Sequence, residues 1–471
     1  FWEVSIDGIH WAPYIQNVDS TCLFGGRTDV LRWEGAKGSL HASPSAHNFP
    51  SKVMNGREIL GRDGVRITQM GQKSCTLYLG ELFGKSAATV VPHRHEDLPA
   101  IWCFCTSEGY RDLVSQVDAK LNVTNASLAK VPFDLKHWQK VAAEKYPSGL
   151  PDPESNDPTQ WLFHGRPEHS NAPLQVAVAR LLGYRWPAEL DSEMRLSQRS
   201  RELVDRCSEL DELVDDDGVV CIPSVRGEDP ASDRLLRLLH ATGVNHGENL
   251  EIWLRDKFFQ EHCELFHQRP FIWHIWDGKK DGFAALVNYH KLAGPHGKKL
   301  LESLAYSYLG DWITRQEAAV KNNESGADDR LLAAKELQEK LEAIVHGEPP
   351  YDIFVRWKPL HEQPIGWTPD INDGVRINIR PFMLAELSRG RKGAGVLRFP
   401  PKVKWTKDRG KEPKRPPEDF PWFWSWDEKK DDPTDFAGGD TFTGERWNDL
   451  HYTNAFKQKA CEAAKKREVE S

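Results

Sequence analysis

The sequence predicts an α+β protein: an amino-terminal target-recognition-like unit with a mixed sheet, a largely helical body, and a Pro- and Trp-rich basic carboxyl-terminal segment. Three observations predict it. Short apolar or alternating runs broken by Gly and Pro fill roughly the first third. Helical spacing of apolar residues takes over from Ala172. Charge then segregates sharply in the last third. The 471 residues leave room for about three domains of the usual size, and the composition shifts put them at 1–150, 151–348 and 349–471.

In the first unit Thr76-Leu-Tyr-Leu79, Ala88-Thr-Val-Val91, Ala100-Ile-Trp-Cys-Phe-Cys105 and the run Val123–Val131 read as strands. Two helices interleave near 108–121 and 135–145, the first carrying Leu113, Val117 and Leu121 at helical spacing. Residues 146–167 hold five Pro and little periodicity, so a boundary is expected there. The body opens with Pro173 at a first helical turn, followed by Leu174, Val178, Leu181 and Leu182 on one face. Leu203, Cys207, Leu210 and Val214 mark an acidic helix; between Asp191 and Asp217 ten acids face four Arg, the signature of a solvated face turned away from any polyanion. A strand over 219–223 and helices around 235–239 and 252–259 follow. Phe271-Ile-Trp-His-Ile-Trp276 and Phe283–His290 form a hairpin pattern, with Asp277-Gly278 and Asp281-Gly282 bracketing Lys279 and Lys280. Two long helices, about 298–322 and 328–345, are joined by a Gly-containing turn as an antiparallel helical hairpin.

A net charge of −8 excludes a uniformly basic nucleic-acid coat but not one basic groove. With 28% charged residues, 39% hydrophobic, 18 Trp and 20 Phe, the chain is globular rather than disordered. No apolar run is long enough to span a membrane, so no membrane partner is expected. The eight Cys lack any CxxC pair, as befits buried thiols in a reducing, cytoplasmic setting. The chain begins at Phe1 on a strand-like segment, which reads as a piece of a larger polypeptide whose chemistry lies upstream.

Several motifs invite a catalytic reading and fail it on context. Glu348-Pro-Pro-Tyr351 approaches the polar-Pro-Pro-aromatic loop that holds a flipped adenine, but it follows a helical pattern and Gly347, so it reads as a helix stop. Phe24-Gly-Gly-Arg27 and Asp435–Gly439 are Gly-rich, yet neither joins a buried strand to a helix as a cofactor turn must. His93, His95, Cys103 and Cys105 are zinc-type donors; the two Cys flank Phe104 on a supposed strand and the two His sit in a separate turn, so buried thiols are expected, and no metal. Asp118-Ala-Lys120 matches half of a nuclease magnesium motif and no more. The strongest electrostatic feature is the run 389–415, with eleven Lys and Arg against Asp408 and Glu412, followed by eight acids over 418–440. Within it Lys402 and Lys404 would share a strand face, forming a ribbon able either to track a phosphate backbone or to pair with the acids that follow.

Several segments together resemble the carboxyl-terminal half of large adenine-specific DNA methyltransferases. Leu121-Asn-Val-Thr-Asn-Ala-Ser-Leu-Ala-Lys-Val-Pro-Phe-Asp134 is similar to the strand closing their target-recognition module, flanked by Leu98–Cys105 and Asp157–Phe163. Arg269–Trp276, Ala285–His290, Tyr308–Trp312, Asp373–Pro381 and Trp405–Lys411 continue the likeness. The family includes type IIG restriction-modification enzymes and the phage-defence methyltransferases of the BREX (PglX) and DISARM systems. The resemblance implies a recognition region downstream of an S-adenosylmethionine-dependent domain. The cofactor turn and NPPY-type loop are absent from this stretch, so the chain is expected to carry no catalytic residue and no cofactor of its own.

On this reading the first unit would lay loops into the major groove of double-stranded DNA, where each base pair shows a distinct donor and acceptor pattern. Arg27, Lys52, Arg57, Arg62 and Arg66 are the expected base or phosphate readers, and Lys402, Lys404, Lys407, Arg409 and Lys411 the backbone grip. The partners implied are duplex DNA, the upstream methyltransferase domain and other defence proteins. The alternative is a docking body without DNA contact, built on the acidic helix and the many Trp.

Overall fold

The computed structural model describes residues 1–2, 4–36, 56–84, 86–347, 378–379, 381–383, 395–402 and 454–470. It is α+β, with short-strand sheets and helices in two compact units: 1–180 with 184–212, and 181–183 with 213–471. The division near residue 212 differs from the boundary expected at 150. The Pro-rich stretch 146–167 is not a linker, because its Trp161, Leu162 and Phe163 are buried. The Trp161 N–H donates to the Arg27 carbonyl at 2.9 Å and the Gln160 amide to the Phe24 carbonyl at 3.2 Å, so Pro punctuates the backbone here without freeing it.

In the first unit β1 (Trp11–Ile15) pairs antiparallel with β2 (Asp29–Arg32) and parallel with β5 (Leu82–Phe83). A second sheet has β3 (Gly64–Thr68) at its centre, antiparallel to β4 (Cys75–Tyr78) and to β6 (Ala87–Val90). Every residue of β3 is buried, and a Cβ at Gly64 would lie 2.5 Å from the Val90 carbonyl oxygen, so strand separation there requires Gly. Helix α1 (Leu98–Cys105) joins Val65, Ile67 and Leu77 in one core with Trp102, Phe104, Tyr110 and Val114; α2 (Tyr110–Val117) supplies the last two and α3 (Leu135–Lys145) packs on α1.

Two expected strands are helices. Leu98–Cys105 is apolar almost all round, and a short run without polar residues shows neither period; Pro99 in the first turn and burial on all sides decide for helix. Within Val123–Val131 the Thr124 hydroxyl accepts from the Ser127 N–H at 3.2 Å and caps a single turn, Asn125–Leu128. The strands at 75–78 and 87–90 and the helix at 135–145 lie where the pattern put them.

In the second unit β7 (Val219–Cys221), β9 (Ala284–Asn288) and β8 (Ile272–Trp276) form an antiparallel sheet in that order. The hairpin turn is held by Asp277, whose carboxylate accepts the Lys279 N–H at 2.9 Å and the Phe283 N–H at 2.7 Å; a Cβ at Gly282 would lie 2.3 Å from those oxygens. The outer edge of β8 is covered by residues 396–398: the Trp276 N–H donates to the Val396 carbonyl and the Arg398 N–H to the His274 carbonyl, each at 2.9 Å. Arg398 is locked there by Asp256 at 3.1 Å and by the Trp276 ring at 4.1 Å. Part of the basic run is therefore an anchored sheet edge rather than a free arm. The long helices are α4 (Leu309–Lys321) and α5 (Ala327–His346), antiparallel and joined through Gly326; α5 ends at Gly347 in the left-handed region (φ 61), as a helix stop should. A further helix runs over Asn454–Glu470.

Two buried His carry opposite consequences. His262 Nε2 accepts the Phe271 and Ile272 N–H groups at 3.3 and 3.2 Å, whereas neither ring nitrogen of His274 reaches a hydrogen-bond partner among the described residues. Burial pushes both imidazoles down to about 3. At neutral pH His274→Phe is therefore expected to raise the unfolding free energy, and His262→Phe to lower it by about 1–3 kcal/mol through the lost acceptor. The native ring stays neutral while the unfolded ring gains its proton near pH 6.5, so each His removes stability as pH falls from 6.5 towards 3. Between pH 7 and 5 this loss is about 2 kcal/mol per ring, and His274→Phe should abolish its share in denaturant titrations.

Candidate nucleic-acid interface

The predicted readers of the first unit separate by burial. Arg27 follows Gly25 and Gly26, where the chain folds back so closely that a Cβ at Gly26 would lie 2.6 Å from the Gln16 carbonyl oxygen. Its side chain is fully buried, paired with Glu81 at 2.7 Å and bonded to the carbonyls of Leu77 at 2.8 Å and Gly25 at 3.2 Å. Glu81 in turn accepts the Leu79 N–H at 2.8 Å, and the Tyr78 hydroxyl donates to the Glu81 carbonyl at 2.7 Å. Arg66, on the fully buried β3, donates to the Gly84 carbonyl at 3.0 Å and lies over the Phe83 ring at 5.5 Å; desolvation depresses its pKa. Neither guanidinium reaches the surface, so Arg27 and Arg66 are corrected from DNA readers to structural cations. Sequence does not show which way an Arg beside a Gly-rich turn directs its side chain, and here both guanidinium groups turn inward.

Arg62 is exposed, its guanidinium donating to the Pro92 carbonyl at 2.8 Å. Arg57 lies in a single 3₁₀ turn, Arg57–Ile59. Lys402 is exposed, and its backbone N–H donates to Gln268 Oε1 at 2.9 Å. Lys52, Lys404, Lys407, Arg409 and Lys411 lie outside the described residues, as do Tyr351 and the 435–439 stretch.

The metal-type constellations do not assemble. Cys103 and Cys105 are buried on α1, and burial raises both thiols, while His95 at the surface contacts Asp63 at 3.0 Å. No group of three or more metal-donor residues forms among the described residues. Asp118 holds its loop: it accepts the Ser127 hydroxyl at 2.6 Å and the Lys120 N–H at 3.2 Å, and these bonds lower its pKa.

What the residue-by-residue reading missed is a set of lysines. Lys120, Lys130, Lys136, Lys140 and Lys145 are all exposed; none forms an ion pair with a described carboxylate, although Lys120 interacts electrostatically with Asp118, and Asp118, Asp134 and Glu144 are the acids of 118–145. Lys136 and Lys140 are four apart on α3 and share a face. Several surface Arg of the same unit sit in ion pairs, Arg32 with Glu34 at 2.9 Å, Arg94 with Glu96 at 3.0 Å, Arg185 with Asp211 at 2.8 Å and Arg195 with Asp63 at 2.7 Å, whereas exposed Arg62, Arg111 and Arg199 have no ion pair among the described residues. A paired Arg presents little net field, whereas an unpaired Lys retains its charge for a polyanion. The signal was present as five lysines against two acids over 119–145, but it was overshadowed by the denser run at 389–415.

No protein-family model matches the chain, and no curated protein does either.

Removing the Arg27 side chain strands Glu81 in a dry environment. Arg27→Ala should therefore cost about 3–5 kcal/mol of unfolding free energy, while Arg62→Ala should cost about 1 kcal/mol or less, both read by urea titration followed by tryptophan fluorescence.

Proposed function

We propose that the chain binds duplex DNA as the recognition part of an adenine-specific methyltransferase of the type IIG and phage-defence kind, with methyl transfer performed by an S-adenosylmethionine-dependent domain outside this stretch. The observation that supports it best is the set of exposed lysines Lys130, Lys136, Lys140 and Lys145, none of which forms an ion pair with a described carboxylate. Lys136 and Lys140 on one helical face suit successive phosphates, and Lys130 falls within the segment that resembles the target-recognition module. Exposed Arg62 remains available to read a base edge or a phosphate; Arg27 and Arg66 do not. On the second unit, exposed Lys402 belongs to the expected backbone grip, whose other members, Lys404, Lys407, Arg409 and Lys411, lie outside the described residues.

Each neutralised phosphate releases counterions, so the logarithm of the binding constant should fall with the logarithm of salt by about 0.9 per contact. Anisotropy of a labelled duplex should show this steep loss. The double variant Lys136→Glu with Lys140→Glu should weaken binding and flatten the slope by nearly two. Reversing Lys402, Lys404, Lys407 and Arg409 together tests the second grip in the same assay. Duplex affinity that is absent at low salt would instead leave a protein-docking body as the reading.

A further inference from the structure

The second unit contains an open cleft of about 640 Å³, a volume within the range that holds a mononucleotide-sized molecule. Its lining includes Asp216, Asp217, Lys291, His296, Lys299 and Leu300. Two glycines permit close approach in its walls. A Cβ at Gly218 would lie 2.8 Å from Lys291 Cδ and 2.9 Å from Asn288 Cβ, and one at Gly297 would lie 1.7 Å from the Leu292 carbonyl oxygen. Gly218, at φ 81, therefore seats the acidic loop against the end of β9, and Gly297 seats the opposite turn. Such a cleft exists before any ligand arrives.

Its polar groups are held in place, yet two of them retain capacity. Lys291 Nζ donates to the Asp216 carbonyl at 2.7 Å and serves as a brace. Asp217 accepts the Tyr308 hydroxyl at 2.8 Å on Oδ2 and the Val219 N–H at 3.0 Å on Oδ1. A carboxylate offers about four acceptor sites, so these two donors and the side-chain contact with Asp215 leave capacity for a ligand hydroxyl or amine. Burial and the neighbouring Asp215 raise the Asp217 pKa, which marks the carboxylate as partly desolvated before it binds anything. Lys299 is exposed and forms no ion pair with a described residue, and exposed His296 stands on the same lining. The lining thus offers the Lys299 ammonium and the His296 ring as donors and Asp217 as an acceptor, with Pro295 and Leu300 supplying apolar wall.

We propose that this cleft binds a small phosphorylated molecule of mononucleotide size, its phosphate taken by Lys299 and His296 and a hydroxyl or amine by Asp217. The site is independent of the DNA-binding reading, since it uses no residue of 120–145.

Calorimetry on the full chain with AMP, adenosine and inorganic phosphate as probes tests it. AMP should saturate one site, with adenosine weaker by roughly tenfold or more because the charge-assisted contacts are lost. Lys299→Glu, an exposed change that the fold tolerates, should weaken AMP by at least a similar factor. Asp217→Asn should weaken AMP without weakening inorganic phosphate. Adenosine binding as tightly as AMP, AMP failing to saturate at millimolar concentration, or Lys299→Glu leaving affinity unchanged would each overturn the assignment. Reversal of Lys136 and Lys140 should leave AMP binding intact, so failure of this site and failure of the DNA reading are read separately.

Discussion

A guanidinium shut away from water must find its neutralising partners in the protein, and the first unit is organised around that requirement. Arg27, Arg66, Arg166 and Arg180 are all essentially fully buried there. Arg27 meets Glu81, Arg166 meets Glu168 and Glu209, and Arg180 meets Glu189, with further N–H groups donating to the backbone carbonyls of Leu77, Arg206 and Cys207. These pairs add little net stability over an apolar replacement of both partners, but they penalise any alternative packing that leaves one charge alone. They tie loops to sheets: Arg27 links the Gly25–Gly26 turn to β4, and its own backbone receives and gives hydrogen bonds to Gln160 and Trp161.

The same requirement redistributes the basic residues between structure and function. The cations most conspicuous beside glycine turns are consumed internally, and the exposed arginines largely sit in surface ion pairs of low individual worth. The lysines, with one flexible and strongly hydrated charge each, are left at the surface. Lys130, Lys136 and Lys140 in particular form no ion pair with a described residue, so replacing them is expected to leave the packing of this unit intact.

In the second unit the sheet edge sets the geometry. An uncovered β8 would expose a row of unpaired N–H and carbonyl groups. Residues 396–398 take that place, and the Arg398 contacts with Asp256 and Trp276 explain why a residue counted within a basic run contributes to packing instead. At the other end of the same sheet, Gly218 and Asn288 bring the 215–218 loop under the helix that follows β9, and the cleft opens beside that junction.

By itself the sequence determined the α+β class, the strands at 75–78 and 87–90, the hairpin 272–288 with its Asp277 turn and the helical hairpin ending at Gly347, because those elements rest on local periodicity and on glycines that alone tolerate the required backbone. Tertiary structure decided the rest. It turned Leu98–Cys105 into a helix, since an unbroken apolar run carries no period and burial on every side chose between forms. It moved the unit division to near residue 212, because the proline-rich stretch packs inward through Trp161 and Phe163. It also determined which cations face water, a property of where the chain returns on itself: Arg27 and Lys136 are equally charged in the sequence, and only the fold surrounds one with carbonyls and leaves the other in solvent.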